Sequence, residues 1–218
     1  MTTEHHHHTL PDEAIARAQR LAVPGTRHLL GLVGAPGAGK STVSAALLAA
    51  LGPLAVVVPM DGYHLAQAEL ERLGRADRKG APDTFDSAGY VALLRRLRAP
   101  AVGETVYAPE FRREIEEPIA GAIGVAPEVP LIITEGNYLL MDAEDAPGTH
   151  WHSVRGLLDE VWYVDVDDAL RVDRLTRRHQ QHGRSPEAAR DWVANTDEPN
   201  ARRIALTRAR ADWQLPWR

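Results

Sequence analysis

Eight consecutive residues combine glycines, a lysine and a serine in an order that can hold phosphate groups. Residues 34–41, GAPGAGKS, match the pattern G-x-x-x-x-G-K-[ST] at every position. Glycines let backbone N–H groups curl around an anion without Cβ clashes, and the helix that follows points its positive end at the same oxygens. In this pattern Lys40 reaches the β- and γ-phosphates, and the Ser41 hydroxyl ligates Mg²⁺. The predicted nucleotide-binding residues are Gly34, Ala35, Pro36, Gly37, Ala38, Gly39, Lys40, Ser41 and Thr42.

Two carboxylates follow apolar runs at the points where buried strands are expected to end. Asp61 follows 54–59, and Glu135 follows 131–134. Parallel sheets bind ligands beyond the carboxyl ends of their strands, so both side chains should lie on the edge that carries the phosphate loop. There Asp61 would orient or deprotonate an acceptor hydroxyl, and Glu135 would hold a magnesium-bound water or contact the acceptor. The alternatives, a turn or cap aspartate and a solvated strand-end glutamate, stay open.

Three arginines share one face of a predicted helix. Arg171, Arg174 and Arg178 recur at i, i+3 and i+7 within the arginine-rich stretch 167–195. Cations placed over the β- and γ-phosphates neutralise charge that develops during phosphoryl transfer. The competing interpretation is a solvated face that pairs with nearby acids, which are Asp167, Asp168 and Asp173.

The elements that must position these side chains alternate along the chain, which predicts βαβ units and a mainly parallel sheet. Apolar runs predict buried strands at 28–33, 54–59, 131–134 and 160–166. Helical patterns occupy 12–22, 41–51 and 87–97. A hairpin or loop is expected at 101–127, and a turn at 197–201 ahead of an alternating segment at 203–207. We expect a tail and helix at 1–24 and one domain at 25–218, with an insertion at 67–127 and a lid at about 167–190.

Composition narrows the class of protein. The formal net charge of -5 and the pI of about 6.1 give no global attraction to nucleic acid or to acidic lipid. The absence of cysteine excludes a disulfide framework and thiolate chemistry. No apolar run reaches membrane-spanning length, and the polar start at 1–11 lacks the apolar core of a signal peptide, so we expect a cytoplasmic protein. His5–His8 can bind metal, although four consecutive histidines are more typical of a tag remnant or a tail.

Seven motifs in a fixed order resemble the uridine kinase, phosphoribulokinase and bacterial pantothenate kinase group. The motifs are GAPGAGKS, MDGYH, RKGAPDTFD, APEF, EGNYLL, RLTRRH and DEPNARRI. They look most similar to the bacterial branch labelled nucleoside/nucleotide kinase-like or fructose-transport kinase. The resemblance covers about residues 25–213, nearly the whole chain.

The resemblance implies an α/β fold of the P-loop NTPase type, a three-layer sandwich with a mainly parallel five-stranded sheet and a helical lid. It implies ATP and Mg²⁺, with Ser41 and Glu135 at the metal. It implies that the catalytic residues are Lys40, Asp61, Glu135 and Arg174. It also implies that Arg178 contacts the nucleotide from a lid over the phosphates and that Asn200 lies near the adenine. The acceptor residues that it implies are Asp61, Tyr63, His64, Phe85, Arg112, Asn137 and Tyr138.

One departure from the family pattern concerns the acceptor side. The branch usually continues its APEF motif with an Asp-Arg pair, whereas here Phe111 is followed by Arg112 and Arg113. The role of that loop therefore does not carry over. No acceptor identity carries over either, because the group phosphorylates a vitamin, nucleosides and sugar phosphates on similar scaffolds.

The leading hypothesis is an ATP-dependent kinase that acts on a hydroxyl of a small molecule, with no nucleic acid or membrane as partner. A nucleotide-dependent switch is the alternative, but such GTPases usually carry an N-K-x-D motif, which this sequence lacks. A non-catalytic nucleotide-binding module is a third hypothesis, and the retained Lys40, Asp61 and Glu135 argue against it. The sequence leaves the oligomeric state open, a homodimer included.

Overall fold

The computed structural model describes residues 9–218, so His5–His8 lie outside the described residues. The strands are β1 (His28–Val33), β2 (Ala55–Val57), β3 (Val106–Arg112), β4 (Glu117–Val125), β5 (Leu131–Gly136), β6 (Glu160–Asp165) and β7 (Trp213–Pro216). The α-helices are α1 (Asp12–Leu21), α2 (Lys40–Leu51), α3 (Gln67–Arg72), α4 (Ser87–Arg98), α5 (Asp168–Gln181), α6 (Pro186–Trp192) and α7 (Glu198–Leu206). None of these helices is both long enough and apolar enough to cross a membrane.

Five strands form one sheet in the order β2-β5-β1-β6-β7, and every neighbouring pair is parallel. The predicted α/β fold with a parallel five-stranded sheet is therefore confirmed. The sequence patterns located four of these strands and missed β7. This edge strand is short and alternates between covered and exposed side chains, so it lacks the continuous apolar run of a strand buried on both faces.

The sheet lies between two layers of helices, which makes three layers. In β1, Leu30 and Leu32 pack with residues of α1 and α2, including Val43. On the other face, Leu29 and Val33 pack with residues of α4 and α7. Because successive strand side chains point to opposite faces, burial on both faces makes β1 a continuous apolar run.

The insertion between β2 and β5 contains an antiparallel hairpin formed by β3 and β4, so of the two expectations for 101–127 the hairpin is the one observed. Val106, Ala108 and Val125 point into the core, while Tyr107 and Ile119 are exposed. The ladder is irregular between Ala108 and Glu110, beside the 3₁₀ turn Met60–Tyr63 that follows β2. The hairpin thus packs on the segment that carries Asp61.

The turn predicted at 197–201 is wrong. A π-helical turn, Val193–Asp197, continues directly into α7. Pro199, which has no N–H to donate, is one of the first residues of α7, directly after the π-helical turn. Ala201 and Ile204 are buried three residues apart, which is a helical spacing and not the period of two expected for a strand.

We predict that Gly62→Ala destabilises the protein. A Cβ on Gly62 would lie 2.4 Å from the Pro109 carbonyl oxygen, and a backbone atom cannot move aside as a flexible side chain can. Overpacking of this kind costs about 1–3 kcal/mol in the free energy of unfolding, which denaturant titration measures. Gly156→Ala is the control, because nothing lies within 4 Å of its added Cβ. Equal stability of the two variants would contradict the close packing of the hairpin on the Asp61 turn.

Candidate active site

The phosphate loop joins β1 to α2 through two glycines in the left-handed region. Gly37 has φ 81° and Gly39 has φ 89°, values that other residues adopt only with strain. A Cβ at Gly37 would also lie 2.8 Å from the Arg171 carbonyl oxygen, and one at Gly39 would lie 2.7 Å from the Trp217 ring nitrogen. Both positions therefore require glycine for conformation and for space.

Lys40 is buried at the start of α2 and surrounded by oxygen atoms. Its Nζ donates to the carbonyl oxygens of Gly34, at 2.9 Å, and Ala35, at 3.3 Å, and to Asn137 Oδ1, at 2.7 Å. Burial lowers the pKa of Lys40, while the charges of Glu135 and Asp61 act in the opposite direction. The end of β5 thus supplies an amide oxygen directly to the loop lysine.

Ser41 and Glu135 form the second link between the loop and β5. Ser41 Oγ donates to Glu135 Oε1 at 2.7 Å. Burial raises the pKa of Glu135, and the negative charge of Asp61 raises it further, whereas Lys40 and Ser41 lower it. The Glu135 carboxylate and the Ser41 hydroxyl are hard oxygen donors, which is the chemistry that Mg²⁺ prefers. The residues present therefore fit the magnesium ion that the sequence predicts.

Asp61 lies at the carboxyl end of β2 and contacts an arginine from the hairpin. Arg113 Nη2 lies 3.2 Å from Asp61 Oδ2. The neighbouring Arg112 pairs instead with Glu110 at 2.9 Å, and it lines neither of the cavities described below. Arg112 is the last residue of β3 and Arg113 begins the turn that follows, and the structure brings Arg113 to the site in place of the Arg112 expected from the sequence.

Two cavities meet at these residues. The loop cavity, of about 260 Å³, lies over the phosphate loop and is lined by Gly37, Gly39, Lys40, Ser41, Thr42, Glu135 and Arg174, among others. The large cavity, of about 530 Å³, lies beside it and is bounded by the insertion and by α5 and α6. The residues that line both cavities are Pro36, Asp61, Arg113, Asn137 and Arg178. Ala38 lines neither cavity and is buried in the core.

An aromatic wall forms one side of the large cavity. The His64 ring lies between those of Phe85 and Phe111, with centroids at 4.0 and 4.6 Å. His64 Nδ1 lies 2.8 Å from the carbonyl oxygen of Asp61, which can only accept, so Nδ1 carries the proton. Burial lowers the pKa of His64, and the neutral ring then presents Nε2 as a hydrogen-bond acceptor.

Tyr63 and Tyr138 lie behind this wall and line neither cavity. The Tyr63 ring packs edge-on against Tyr90, with centroids at 5.5 Å. Tyr138 is fully buried, and its hydroxyl donates to the Gly80 carbonyl oxygen. Of the predicted acceptor residues, Asp61, His64, Phe85 and Asn137 line the large cavity. Tyr63 and Tyr138 pack behind the residues that line it.

The three arginines of α5 have different surroundings despite their shared face. Arg174 and Arg178 line the loop cavity, and burial lowers the pKa of Arg178. Arg171 is buried: it pairs with Glu198 of α7 at 2.6 Å and with Asp168 at 3.0 Å, and it reaches the Pro36 carbonyl oxygen at 3.4 Å. Arg171 thus ties α5 to α7 and to the phosphate loop.

Asn200, which the family resemblance places near the adenine, lines the large cavity and does not line the loop cavity. Its Nδ2 donates to the Thr196 carbonyl oxygen at 3.1 Å. Nearby, His179 Nε2 pairs with Asp197 Oδ2 at 2.8 Å. The cavity residues that the sequence patterns did not assign to the site include Lys79, Arg113, His179 and Arg184.

Comparisons with known proteins show which family and which fold this chain shares. The profile of the Phosphoribulokinase / Uridine kinase family matches residues 29–216. An "ATP-dependent kinase-like protein notR'" of Aspergillus versicolor is 36% identical over 169 residues, which cover 73% of this chain and 95% of that protein. A uridine kinase of Leuconostoc citreum (strain KM20) is 31% identical over 179 residues, 78% of either chain. The crystal structure of a "putative fructose transport system kinase" from Silicibacter sp. TM1040 has a TM-score of 0.82 and 40% identity, covering 93% of this chain and 98% of that one.

We predict that Glu135→Gln raises the stability of the protein at pH 7. The fold raises the pKa of Glu135, so stability is lost as the pH rises through that pKa, and a neutral amide removes the loss. Substitutions that relieve strain at functional sites add about 0.5–2 kcal/mol to the free energy of unfolding. The difference should vanish below about pH 4, where the carboxyl group is protonated in the folded and unfolded chains alike.

The exposed Glu144→Gln is the control for this prediction. Denaturant titrations of wild type and both variants at several pH values provide the measurement. A less stable Glu135→Gln variant at pH 7 would contradict the conclusion that burial and Asp61 outweigh Lys40 and Ser41 at this carboxylate.

Proposed function

The chain belongs to the Phosphoribulokinase / Uridine kinase family, and from that membership we propose that it transfers the γ-phosphate of ATP to a hydroxyl of a small molecule. The observation that carries the proposal is the meeting of two cavities at shared residues. A phosphate donor and an acceptor must approach in line for transfer, so their sites need a common boundary. Asp61, Arg113 and Arg178 lie on that boundary.

The loop cavity is the proposed site of the ATP phosphates. Lys40 would exchange its contacts with loop carbonyl oxygens for contacts with the β- and γ-phosphates. Ser41 and Glu135 would hold Mg²⁺, which neutralises charge on the phosphates when bound. Asn137 keeps the Lys40 ammonium at the boundary through its 2.7 Å hydrogen bond.

The large cavity is the proposed acceptor site. Its volume of about 530 Å³ lies within the range of small-molecule sites, about 300–1,000 Å³. Asp61 lies where it can orient an acceptor hydroxyl or accept its proton, and Arg113 holds the carboxylate at 3.2 Å. His64, through Nε2, can accept a hydrogen bond from a second polar group of the acceptor.

The proposed domain organisation follows from the same cavities. The kinase domain is 25–218, with α1 of the 1–24 segment packed on the same sheet. The insertion at 67–127 supplies Lys79, Phe85 and Arg113 to the acceptor side. The stretch at about 167–190 would act as a lid that brings Arg174 and Arg178 over the phosphates.

We predict that Asp61→Asn leaves ATP binding nearly unchanged and removes most acceptor-dependent turnover. The amide keeps the shape of the side chain but can neither take a proton nor orient the hydroxyl in the same way. General-base contributions amount to about 10²–10⁴-fold in rate, so acceptor-dependent ADP formation should fall by about that factor. Calorimetric ATP titration and coupled ADP assays measure the two quantities.

The control for Asp61 is Asp77→Asn, since the Asp77 side chain is 81% exposed and lines neither cavity. The cap alternative predicts a different result for Asp61→Asn: a stability loss of about 1 kcal/mol with near-normal turnover. That result would rule out a catalytic role for Asp61 and leave Glu135 as the next carboxylate to test.

We predict that Arg174→Ala lowers kcat much more than it weakens ATP binding, because the contact forms mainly when the lid closes. A hydrogen bond to a charged group contributes about 1.5–3 kcal/mol, so kcat should fall about 10- to 100-fold. Arg177→Ala is the matched control on the same helix, since Arg177 is exposed and pairs with Asp173 at 3.0 Å. Equal kcat values for the two variants in steady-state assays would show that Arg174 belongs to a solvated face.

A further inference from the structure

The chain uses lysine at two positions only, and both are at the paired cavities. Of its 25 basic Lys and Arg residues, Lys40 and Lys79 are the two lysines. Lys40 belongs to the phosphate loop, whereas Lys79 lines the large cavity and does not line the loop cavity. A lysine ammonium is a compact point charge, which suits an anion that approaches from one direction.

Lys79 is half-buried beside neutral oxygen atoms. Its Nζ donates to the Glu116 carbonyl oxygen at 2.7 Å and lies 3.5 Å from Gln67 Oε1. The ammonium also lies 5.6 Å from the centre of the Phe111 ring. No ion pair among residues 9–218 includes Lys79, so neutral groups position this charge without neutralising it.

A second cation lies at the same cavity. The Arg184 guanidinium lies 4.0 Å from the centre of the Trp192 ring, and Arg184 does not line the loop cavity either. Lys79 and Arg184 therefore do not face the site proposed for the ATP phosphates. Their positive charge needs another anion to face it.

The acidic groups of the large cavity do not supply that anion. Asp61 pairs with Arg113, and Asp197 pairs with His179. Glu116 offers Lys79 its backbone carbonyl, and its carboxylate forms no ion pair among residues 9–218. The residues that line the large cavity thus include four cations, Lys79, Arg113, Arg178 and Arg184, against three carboxylates, Asp61, Glu116 and Asp197, which leaves positive charge in excess.

We infer that the acceptor carries an anionic group, a carboxylate or a phosphate, in addition to the hydroxyl that is phosphorylated, and that Lys79 binds this anion. The inference rests on the proposed function, since it assigns a substrate class to the same acceptor site. The hydroxyl lies at Asp61 and the anion at Lys79, so the cavity orients the acceptor by its charge. Neutral polyols and nucleosides fill the cavity without neutralising Lys79.

The first experiment uses the two lysines as reporters. Acetylation by an N-hydroxysuccinimide ester is followed at each lysine by mass spectrometry, with glucose, gluconate or glucose 6-phosphate present. These three probes share a six-carbon polyol and differ in charge. Gluconate or glucose 6-phosphate should slow acetylation of Lys79 and glucose should not, while ATP with Mg²⁺ slows acetylation of Lys40. Comparable protection of Lys79 by all three probes, or by none, would overturn the inference.

The second experiment compares turnover. In an ADP-release screen of neutral, carboxylate-bearing and phosphate-bearing hydroxyl compounds, the highest kcat/KM should belong to an anionic compound. Lys79→Gln should raise the KM for that compound about 10- to 100-fold, the value of a charged hydrogen bond, while the KM for ATP stays unchanged. Lys79→Arg should restore part of the loss, and Arg20→Gln, an exposed change on α1, should have no effect.

The outcomes separate this inference from the proposed function. Higher kcat/KM for a neutral compound than for its anionic analogue would overturn the inference and leave the kinase proposal in place. An unchanged KM for the anionic acceptor in Lys79→Gln would overturn it as well. Absence of acceptor-dependent ADP formation with every compound would contradict the proposed function, and the inference would fail with it.

Discussion

The burial of Lys40 and Glu135 beside the partly exposed Asp61, at one edge of a parallel sheet, is the constraint on which the site depends. Lys40 and Asp61 follow β1 and β2, and Glu135 lies near the end of β5 between them, so the sheet itself brings the three side chains together. Their interactions are unequal: Asp61 raises the pKa of Glu135, and Lys40 opposes that effect. Buried like charges are unfavourable unless cations or hydrogen bonds offset them. The hydrogen bond from Ser41 to Glu135 and the lysine together provide part of that offset, and a bound Mg²⁺ would provide more.

The elements around the sheet hold this edge in place from two sides. On one side the hairpin packs on the turn after β2, and Arg113 meets Asp61 there. On the other side Arg171 ties the start of α5 to α7 and to the phosphate loop. The contact between Arg113 and Asp61 lies at the charged boundary between the two cavities. The contacts of Arg171 fix the start of α5, the helix that carries Arg174 and Arg178. A small-molecule kinase needs both features, a shared boundary for transfer and a cationic helix over the phosphates.

Local sequence patterns predicted the parts of the protein that depend on local rules. The phosphate loop requires glycine at φ values near 80–90°, and the central strands are apolar because both of their faces are covered. Features that depend on tertiary contacts could not be predicted from local sequence patterns. The choice of Arg113 over Arg112 depends on how the hairpin ends, and the position of Asn200 depends on a π-helical turn. Lysine is rare in this sequence, which singles out Lys79, but a role for Lys79 could be inferred only from its position at the large cavity.

³¹P NMR of the reaction shows whether the γ-phosphate of ATP crosses the shared boundary to an acceptor. The protein is incubated with ATP, Mg²⁺ and pools of pantothenate, nucleosides, ketohexoses or sugar phosphates, and each spectrum is compared with one without acceptor. We predict that, in one pool, the γ-phosphate signal of ATP is replaced by the signal of a phosphate monoester of the acceptor. The amount of this monoester should equal the amount of ADP formed. Without acceptor, the spectrum of ATP should change little. ADP and inorganic phosphate appearing at the same rate with and without every pool would contradict this prediction.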